Sequence, residues 1–220
     1  MIRVHHLENS RSQRILWLLE ELSLPYEIVH YKRDPETMLA PDSLRKIHPL
    51  GKSPVIDDDG VVVAETGAII EYIIEQHGGG HLKPPPGSAD ARAWTYWMHY
   101  AEGSAMPPLL MKLVFQQLPQ RANALMRPLV KGVTSRTEEG FVDPRLAEHI
   151  AYWDSALTET GWFAGKEFSA ADIMMSFPLE AAVSRGGAGT YANITDFLGR
   201  IHTRPAYLTA LEKGGPYAYA

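Results

Sequence analysis

Pro49-Leu-Gly-Lys-Ser-Pro-Val-Ile-Asp-Asp-Asp-Gly-Val-Val-Val-Ala-Glu-Thr-Gly-Ala-Ile-Ile70 is the stretch whose reading decides the fold. Two short β-branched runs flank Asp58-Asp59-Gly60, which is a hairpin pattern. The first strand opens on Ser53-Pro54. Proline donates no ladder bond, so it marks a sheet edge or a strand's start, and an X-Pro bond at such a corner is a candidate cis peptide. The second strand ends at Ala64. Glu65-Thr66-Gly67-Ala68 then leads into Ile69, Ile70, Ile73 and Ile74 at helical spacing. A strand therefore runs straight into a helix N-terminus, whose free amides attract a carboxylate or a phosphate.

These pieces suit recognition of a small peptide. An edge beside a cis proline leaves the backbone N–H and C=O of Ser53 open to an extended ligand, which then docks as an added strand does. The helix start at Thr66 suits the ligand's terminal carboxylate, and Lys52 a second one. Each feature has a plainer reading. Thr66 serves as an N-cap with Glu65 favourably placed on the helix dipole, and the Asp-Asp-Gly run is only a turn.

Pro49-Leu-Gly-Lys-Ser-Pro-Val, followed by Glu65-Thr66-Gly67-Ala68-Ile69, resembles the glutathione-site signature of the soluble (cytosolic) glutathione transferases. Most members carry Val before the proline and Ser after the glutamate, where this chain has Ser53 and Thr66. Both changes are mild, because the first contact is by backbone and Thr keeps the hydroxyl. The resemblance implies a thioredoxin-like N-terminal unit, an all-helical C-terminal bundle, and glutathione as cosubstrate held by Ser10, Lys52, Ser53, Pro54, Glu65 and Thr66.

The 220 residues allow one large domain or two small ones. At 45% hydrophobic and 21% charged the composition is that of a soluble protein. A net charge of −5 without a basic cluster argues against nucleic acid. With no long apolar run and no signal-peptide pattern at Met-Ile-Arg-Val-His-His, no membrane association and a cytoplasmic location are expected. The absence of cysteine excludes disulfides, thiolate metal sites and a cysteine nucleophile. No metal site is expected. His5 and His6 point to opposite faces of a strand, and Gly78-Gly79-Gly80 breaks any helix joining His77 to His81.

Ile2 to Leu7 reads as a strand, Ile15 to Leu22 as a helical face ended by Pro25, and Tyr26 to Tyr31 as a second strand. Together they form a βαβ unit. A short helix over 43–47, the hairpin and the Ile69 helix complete a β-α-β-α-β-β-α unit over 1–80. Gly78 to Asp90, with Pro84-Pro85-Pro86-Gly87, is linker composition, so 81–89 is assigned as linker. Residues 90–220 read as helical throughout. Ser88 or Asp90 caps a long helix interrupted at Pro107-Pro108. Further segments lie near 120–133 and 144–160, the latter with Asp143 as N-cap and proline at the first position. Ser169-Ala-Ala-Asp172 is a capping box with Asp in place of Glu. It opens an apolar helix kinked at Pro178, and two last helices bracket Arg204-Pro205. Ser169-Ala170-Ala171-Asp172-Ile173 also matches the capping motif of the family's core helix, which extends the resemblance over nearly the whole chain.

Ligands bind beyond the carboxyl ends of parallel strands, which brings Ser10 and Ser12 to the Ser53-Pro54 corner. No Cys-x-x-Cys occupies that loop, so dithiol redox chemistry is excluded and a hydroxyl remains. The resemblance implies the serine-type, theta-like bacterial and fungal branch. There Ser10 donates a hydrogen bond to the sulfur and favours the thiolate. Ser12 and Asn9 remain alternates, and Ser10-Arg-Ser-Gln13 is itself a capping-box pattern that would direct the Ser10 oxygen to the helix instead. Tyr96, Tyr100 and Met106 are assigned to a cleft for the electrophile, although aromatic residues at this spacing also suit a core. The function implied is a glutathione S-transferase conjugating hydrophobic electrophiles, with peroxidase activity as a possible addition. The alternative is a non-catalytic carrier or regulatory protein on the same fold. The family's members are usually homodimers, with Leu50 and the 65–76 helix as candidate partner-facing residues.

Overall fold

The computed structural model describes residues 1–37 and 39–219. Ile2–Leu7 (β1), Tyr26–Tyr31 (β2), Val55–Asp58 (β3) and Val61–Ala64 (β4) form one mixed sheet in the order β2-β1-β3-β4. β1 runs parallel to β2 and antiparallel to β3. The crossover between the parallel pair is Gln13–Glu21 (α1), whose Ile15, Leu16, Leu18 and Leu19 are fully buried. The hairpin turns on Asp59 (φ 49) and Gly60 (φ 95). Two successive positive φ values fit a turn whose twist matches the strands. Asp58 therefore belongs to the strand and not to the turn. A short 3₁₀ turn spans Asp42–Lys46 and buries Leu44. Thr66–Gln76 (α2) follows β4 directly and buries Ile69, Ile70, Ile73 and Ile74.

The rest is helical: Ala89–Tyr100 (α3), Met106–Arg121 (α4), Arg127–Thr137 (α5), Asp143–Ala156 (α6), Ala170–Gly186 (α7), Ala192–His202 (α8) and Pro205–Gly214 (α9). Ser88 caps α3 by accepting from the Ala91 amide at 3.0 Å. No helix among the described residues is long and apolar enough to cross a membrane. Three expectations need correction. Pro107-Pro108 do not interrupt the helix. A π-helical turn over Ala101–Ala105 precedes them, and they occupy the first turn of α4, where a missing N–H has no helical partner to lose. The segment expected over 120–133 straddles a break, because the chain leaves α4 at Ala122 and the Asn123 side chain accepts the Met126 amide at 3.0 Å. Asp143 caps nothing. A second π-turn over Glu138–Val142 carries α5 into α6, and Asp143 pairs with Lys112 at 2.7 Å.

α7 is the axis of the molecule. Its capping box forms as expected: Asp172 accepts from the Ser169 amide and the Phe163 amide, each at 2.8 Å. One continuous set of buried side chains joins the sheet unit (Val4, Ile15, Ile69) to the bundle (Trp94, Met174, Phe197). α9 returns to pack on α1. Arg204 grips Glu21 with two bonds of 2.6 and 2.8 Å, and Trp17 meets Tyr207 edge-on at 5.0 Å. The end of the chain is thus fastened beside the loop that follows β1.

Candidate functional site

The Ser53–Pro54 bond is cis. The Ser53 hydroxyl donates to the His5 carbonyl at 2.8 Å and accepts from the Leu7 amide at 3.2 Å, which stitches this corner to β1. Among the described residues the backbone N–H and C=O of Ser53 have no partner. Across the corner Glu65 holds φ 73, ψ 127. A bulky residue in this region costs of order 1–3 kcal/mol and persists only where its surroundings over-determine it. No side chain caps α2, and Thr66 is its first residue, so its first-turn amides face the corner unpaired.

Arg14, 1% exposed, lies beneath this helix start. Its guanidinium donates to the Met174 carbonyl at 2.7 Å, to the Thr66 hydroxyl at 3.3 Å and to Glu102 at 2.5 Å. Arg11 reaches the other Glu102 oxygen at 3.5 Å. Burial opposes ionisation of Glu102, but the two arginines outweigh it and hold its carboxyl below the usual range. Glu102 stands on the π-turn, a helical irregularity that frequently marks functional sites.

The three candidate sulfur donors are separated by what they touch. Ser12 is fully buried, with its hydroxyl 2.9 Å from His6 Nδ1, 3.3 Å from the Leu7 carbonyl and 2.7 Å from the Ser10 oxygen. Burial, with neighbouring His30 adding to it, lowers the His6 pKa to about 4, so this imidazole is neutral near pH 7. The Asn9 side-chain oxygen accepts from the Ala218 amide at 2.9 Å. Ser10 lines an open cavity. The capping box expected from Ser10 to Gln13 does not form: the Ser10 hydroxyl accepts from the Ser12 amide at 3.2 Å, and its contact to Gln13 is through the backbone carbonyl. Ser10 therefore lines the cleft at the positive end of α1, with its hydroxyl set by the Ser12 hydroxyl and amide and not by Gln13.

Lys52, Ser53, Pro54, Glu65 and Thr66 line one cavity of about 120 Å³, joined there by Arg11 and Glu102. Ser53 and Arg11 also line a second, of about 250 Å³, with Ser10, Asn9 and Met106. A larger cavity of about 550 Å³, between 82–90 and 159–169, holds none of these residues. The tyrosines expected in the cleft are not there. Tyr100 is buried, hydrogen-bonds Trp153 at 3.1 Å and also bonds His149; burial pushes its hydroxyl up to about 12. Tyr96 stacks on it at 5.3 Å and meets Tyr152 edge-on. This face of α3 packs toward α6, so the pair belongs to an aromatic cluster. Among the residues the sequence did not single out, Phe177, Arg185 and Tyr219 line the cleft. Only the apolar run of α7 hinted at Phe177; Tyr219 arrives through a tail without any periodic pattern.

The family profile described as "Glutathione S-transferase, N-terminal domain" matches residues 10–76. Glutathione S-transferase 3 of Schizosaccharomyces pombe is 36% identical, over 97% of this chain and 88% of its own length. Glutathione S-transferase 1 of Saccharomyces cerevisiae is 31% identical, over 97% and 95%. A glutathione S-transferase crystal structure from Actinobacillus pleuropneumoniae superposes with a TM-score of 0.79 at 29% identity, covering 97% of this chain and 93% of that one.

Proposed function

The chain belongs to the soluble glutathione S-transferase family, and from that premise we propose that it binds glutathione along the Ser53 corner and ionises its thiol with the Ser10 hydroxyl. The cysteinyl backbone of the tripeptide pairs with the free N–H and C=O of Ser53, as an added strand would. One carboxylate meets the α2 amides and the Thr66 hydroxyl; the other meets Lys52, which is exposed and lines the same cavity. The sulfur then lies over Ser10. A hydrogen bond donated to the thiolate favours it over the thiol, and each unit by which the thiol pKa falls is about 1.4 kcal/mol of preference. The start of α1 adds in the same direction. The thiol proton leaves to solvent. The sulfur attacks the electrophilic carbon held beside Met106, and the leaving group departs with its electron pair.

The observation that carries this reading is the contrast in the β1–α1 loop. Ser10 and Asn9 line the cleft and Ser12 does not; the Asn9 oxygen is taken by the Ala218 amide, whereas the Ser10 hydroxyl is bonded only within its own loop, to the Ser12 hydroxyl and amide. The test is turnover of a chromogenic aryl halide, with retention on immobilised glutathione as the binding control. Ser10→Ala should bind glutathione and lose roughly 10- to 100-fold in kcat/KM, from a charge-assisted bond worth about 1.5–3 kcal/mol. Full activity in that variant would remove Ser10 from the mechanism. Binding without turnover by the wild type would favour a carrier.

A further inference from the structure

We infer that the electrophile this site selects is an aromatic ring bearing an acidic group, with the acid held by Arg185 in the wall of the cleft. The inference rests on the glutathione-conjugating reading above and adds the class of the second substrate. The cavity beside Ser10 has three kinds of wall. Met106, Leu110 and Leu113 are aliphatic. Phe177 and Tyr219 are aromatic and meet edge-on at 5.1 Å. Arg11, Arg33 and Arg185 are cationic, and no acidic side chain lines the space. Neutralisation from outside is partial: Glu102 is shared between Arg11 and Arg14, one carboxylate against two guanidinium groups.

Arg185 is the group left to a ligand. Its partner among the described residues is Tyr219, whose hydroxyl accepts from Nη2 and whose ring lies 5.0 Å from the guanidinium carbon. No carboxylate among the described residues pairs with it. The planar fork has five donors suited to a bidentate carboxylate, and the Tyr219 hydroxyl keeps its own proton to donate beside them. The tail is held in place over the cleft. The Ala218 amide is bonded to Asn9 at 2.9 Å, and the Tyr217 hydroxyl donates to buried Glu180 at 2.5 Å. The volume of about 250 Å³ leaves room for an aromatic ring beside Phe177 and Tyr219.

The step is a substitution: the thiolate sulfur bonds to the ring carbon, the carbon–chlorine bond breaks, and chloride leaves with the electron pair. The matched probes are 1-chloro-2,6-dinitrobenzene and 4-chloro-3,5-dinitrobenzoate, each rate being divided by its uncatalysed rate with glutathione. The wild type should favour the benzoate by about tenfold in kcat/KM, and the preference should shrink as salt rises. Arg185→Met should bring the ratio close to one, and Arg185→Lys should retain part of it. Because the readout is a ratio, a general loss from a disturbed tail cancels. Equal use of both probes by the wild type, or a preference untouched in Arg185→Met, overturns the inference while leaving the glutathione reading standing. If Arg185→Met does not fold, a wild-type preference that survives high salt overturns it equally. Failure to turn over either probe removes the reading beneath it and the inference together.

Discussion

Arg14 donates its 2.7 Å hydrogen bond to the carbonyl of Met174, the acceptor that Pro178 leaves without a helical donor. In an α-helix the amide of residue 178 would bond the carbonyl of residue 174. Proline has no N–H, so inside a helix it strands that carbonyl. Here α7 is buried, and a stranded carbonyl would carry a desolvation penalty. The guanidinium of Arg14 fills the gap from α1 and with its other terminal nitrogen reaches Thr66 and Glu102. One side chain thereby links both helical cores to the start of α2.

This relationship predicts coupling between positions 14 and 178. Arg14→Met should destabilise the protein by about 3 kcal/mol, the low end of the range for breaking a buried pair, because Glu102 keeps 30% of its side chain in water and retains Arg11. It should also raise the KM for glutathione by releasing Thr66. In a Pro178→Ala background the amide at 178 satisfies Met174, and Arg14→Met should then cost less by about 0.5–1.5 kcal/mol. Urea unfolding of the four proteins measures the cycle, and strictly additive losses would refute the link.

The stretch from Pro49 to Ile70 was legible because each of its signals is local: β-branched runs, a turn, a proline and a helical repeat. The same holds for the Ser169–Asp172 box. Pro107-Pro108 misled because local chemistry is ambiguous there. Two prolines end a helix or begin one, and the π-turn over 101–105 that decides between these leaves no periodic mark. Tyr96 and Tyr100 share a face, but sequence spacing does not say which neighbour that face meets. Tyr217 to Tyr219 follow Gly214-Gly215-Pro216 without any pattern, and their place over the cleft depends on Asn9, Glu180 and Arg185, partners between 34 and 209 positions away.

Ser12 is expected to act on catalysis only through Ser10. Its hydroxyl lies within hydrogen-bond distance of the Leu7 carbonyl, His6 Nδ1 and the Ser10 oxygen, and so fixes where the Ser10 hydroxyl sits. Ser12→Ala should lower kcat/KM by about 3- to 10-fold, less than Ser10→Ala, and cost about 1–3 kcal/mol of stability by leaving His6 Nδ1 unpaired in the core. The distinguishing readout is the pKa of bound glutathione, followed by thiolate absorbance: it should rise in Ser12→Ala and rise further in Ser10→Ala. An identical pKa in wild type and Ser12→Ala would reduce Ser12 to a packing role.

Asp172 accepts two backbone amides and the Ser169 hydroxyl from a fully buried position. Asp172→Ala leaves the Phe163 and Ser169 amides stranded, for a loss of about 2–4 kcal/mol. Ser169→Ala removes one cap and should lose about 1 kcal/mol. Activity per folded molecule should stay unchanged in both, since neither touches the cleft. Equal losses from the two substitutions, in denaturant melts, would contradict the assignment of Asp172 as the centre of this network.

Stability should fall as the medium turns acidic, and His6 supplies a calculable part of the fall. Its folded pKa is lowered to about 4, whereas in the unfolded chain it is about 6.5. Between those values the unfolded state binds more protons, so stability rises with pH across the window and is lost as pH drops below about 6.5. At pH 5 the difference amounts to about 2 kcal/mol. His5 and His149 are lowered by burial too and act with the same sign. Asp172, raised to about 6 by burial, acts oppositely over its own range. Comparison within one background separates them. His6→Asn keeps an acceptor near the Ser12 hydroxyl without a titrating group, and its stability should change less between pH 7.5 and 5 than that of the wild type, by about 2 kcal/mol. Parallel pH profiles for the two proteins would show that His6 titrates normally, and that the wall of neutral imidazole behind Ser12 and Ser10 does not exist.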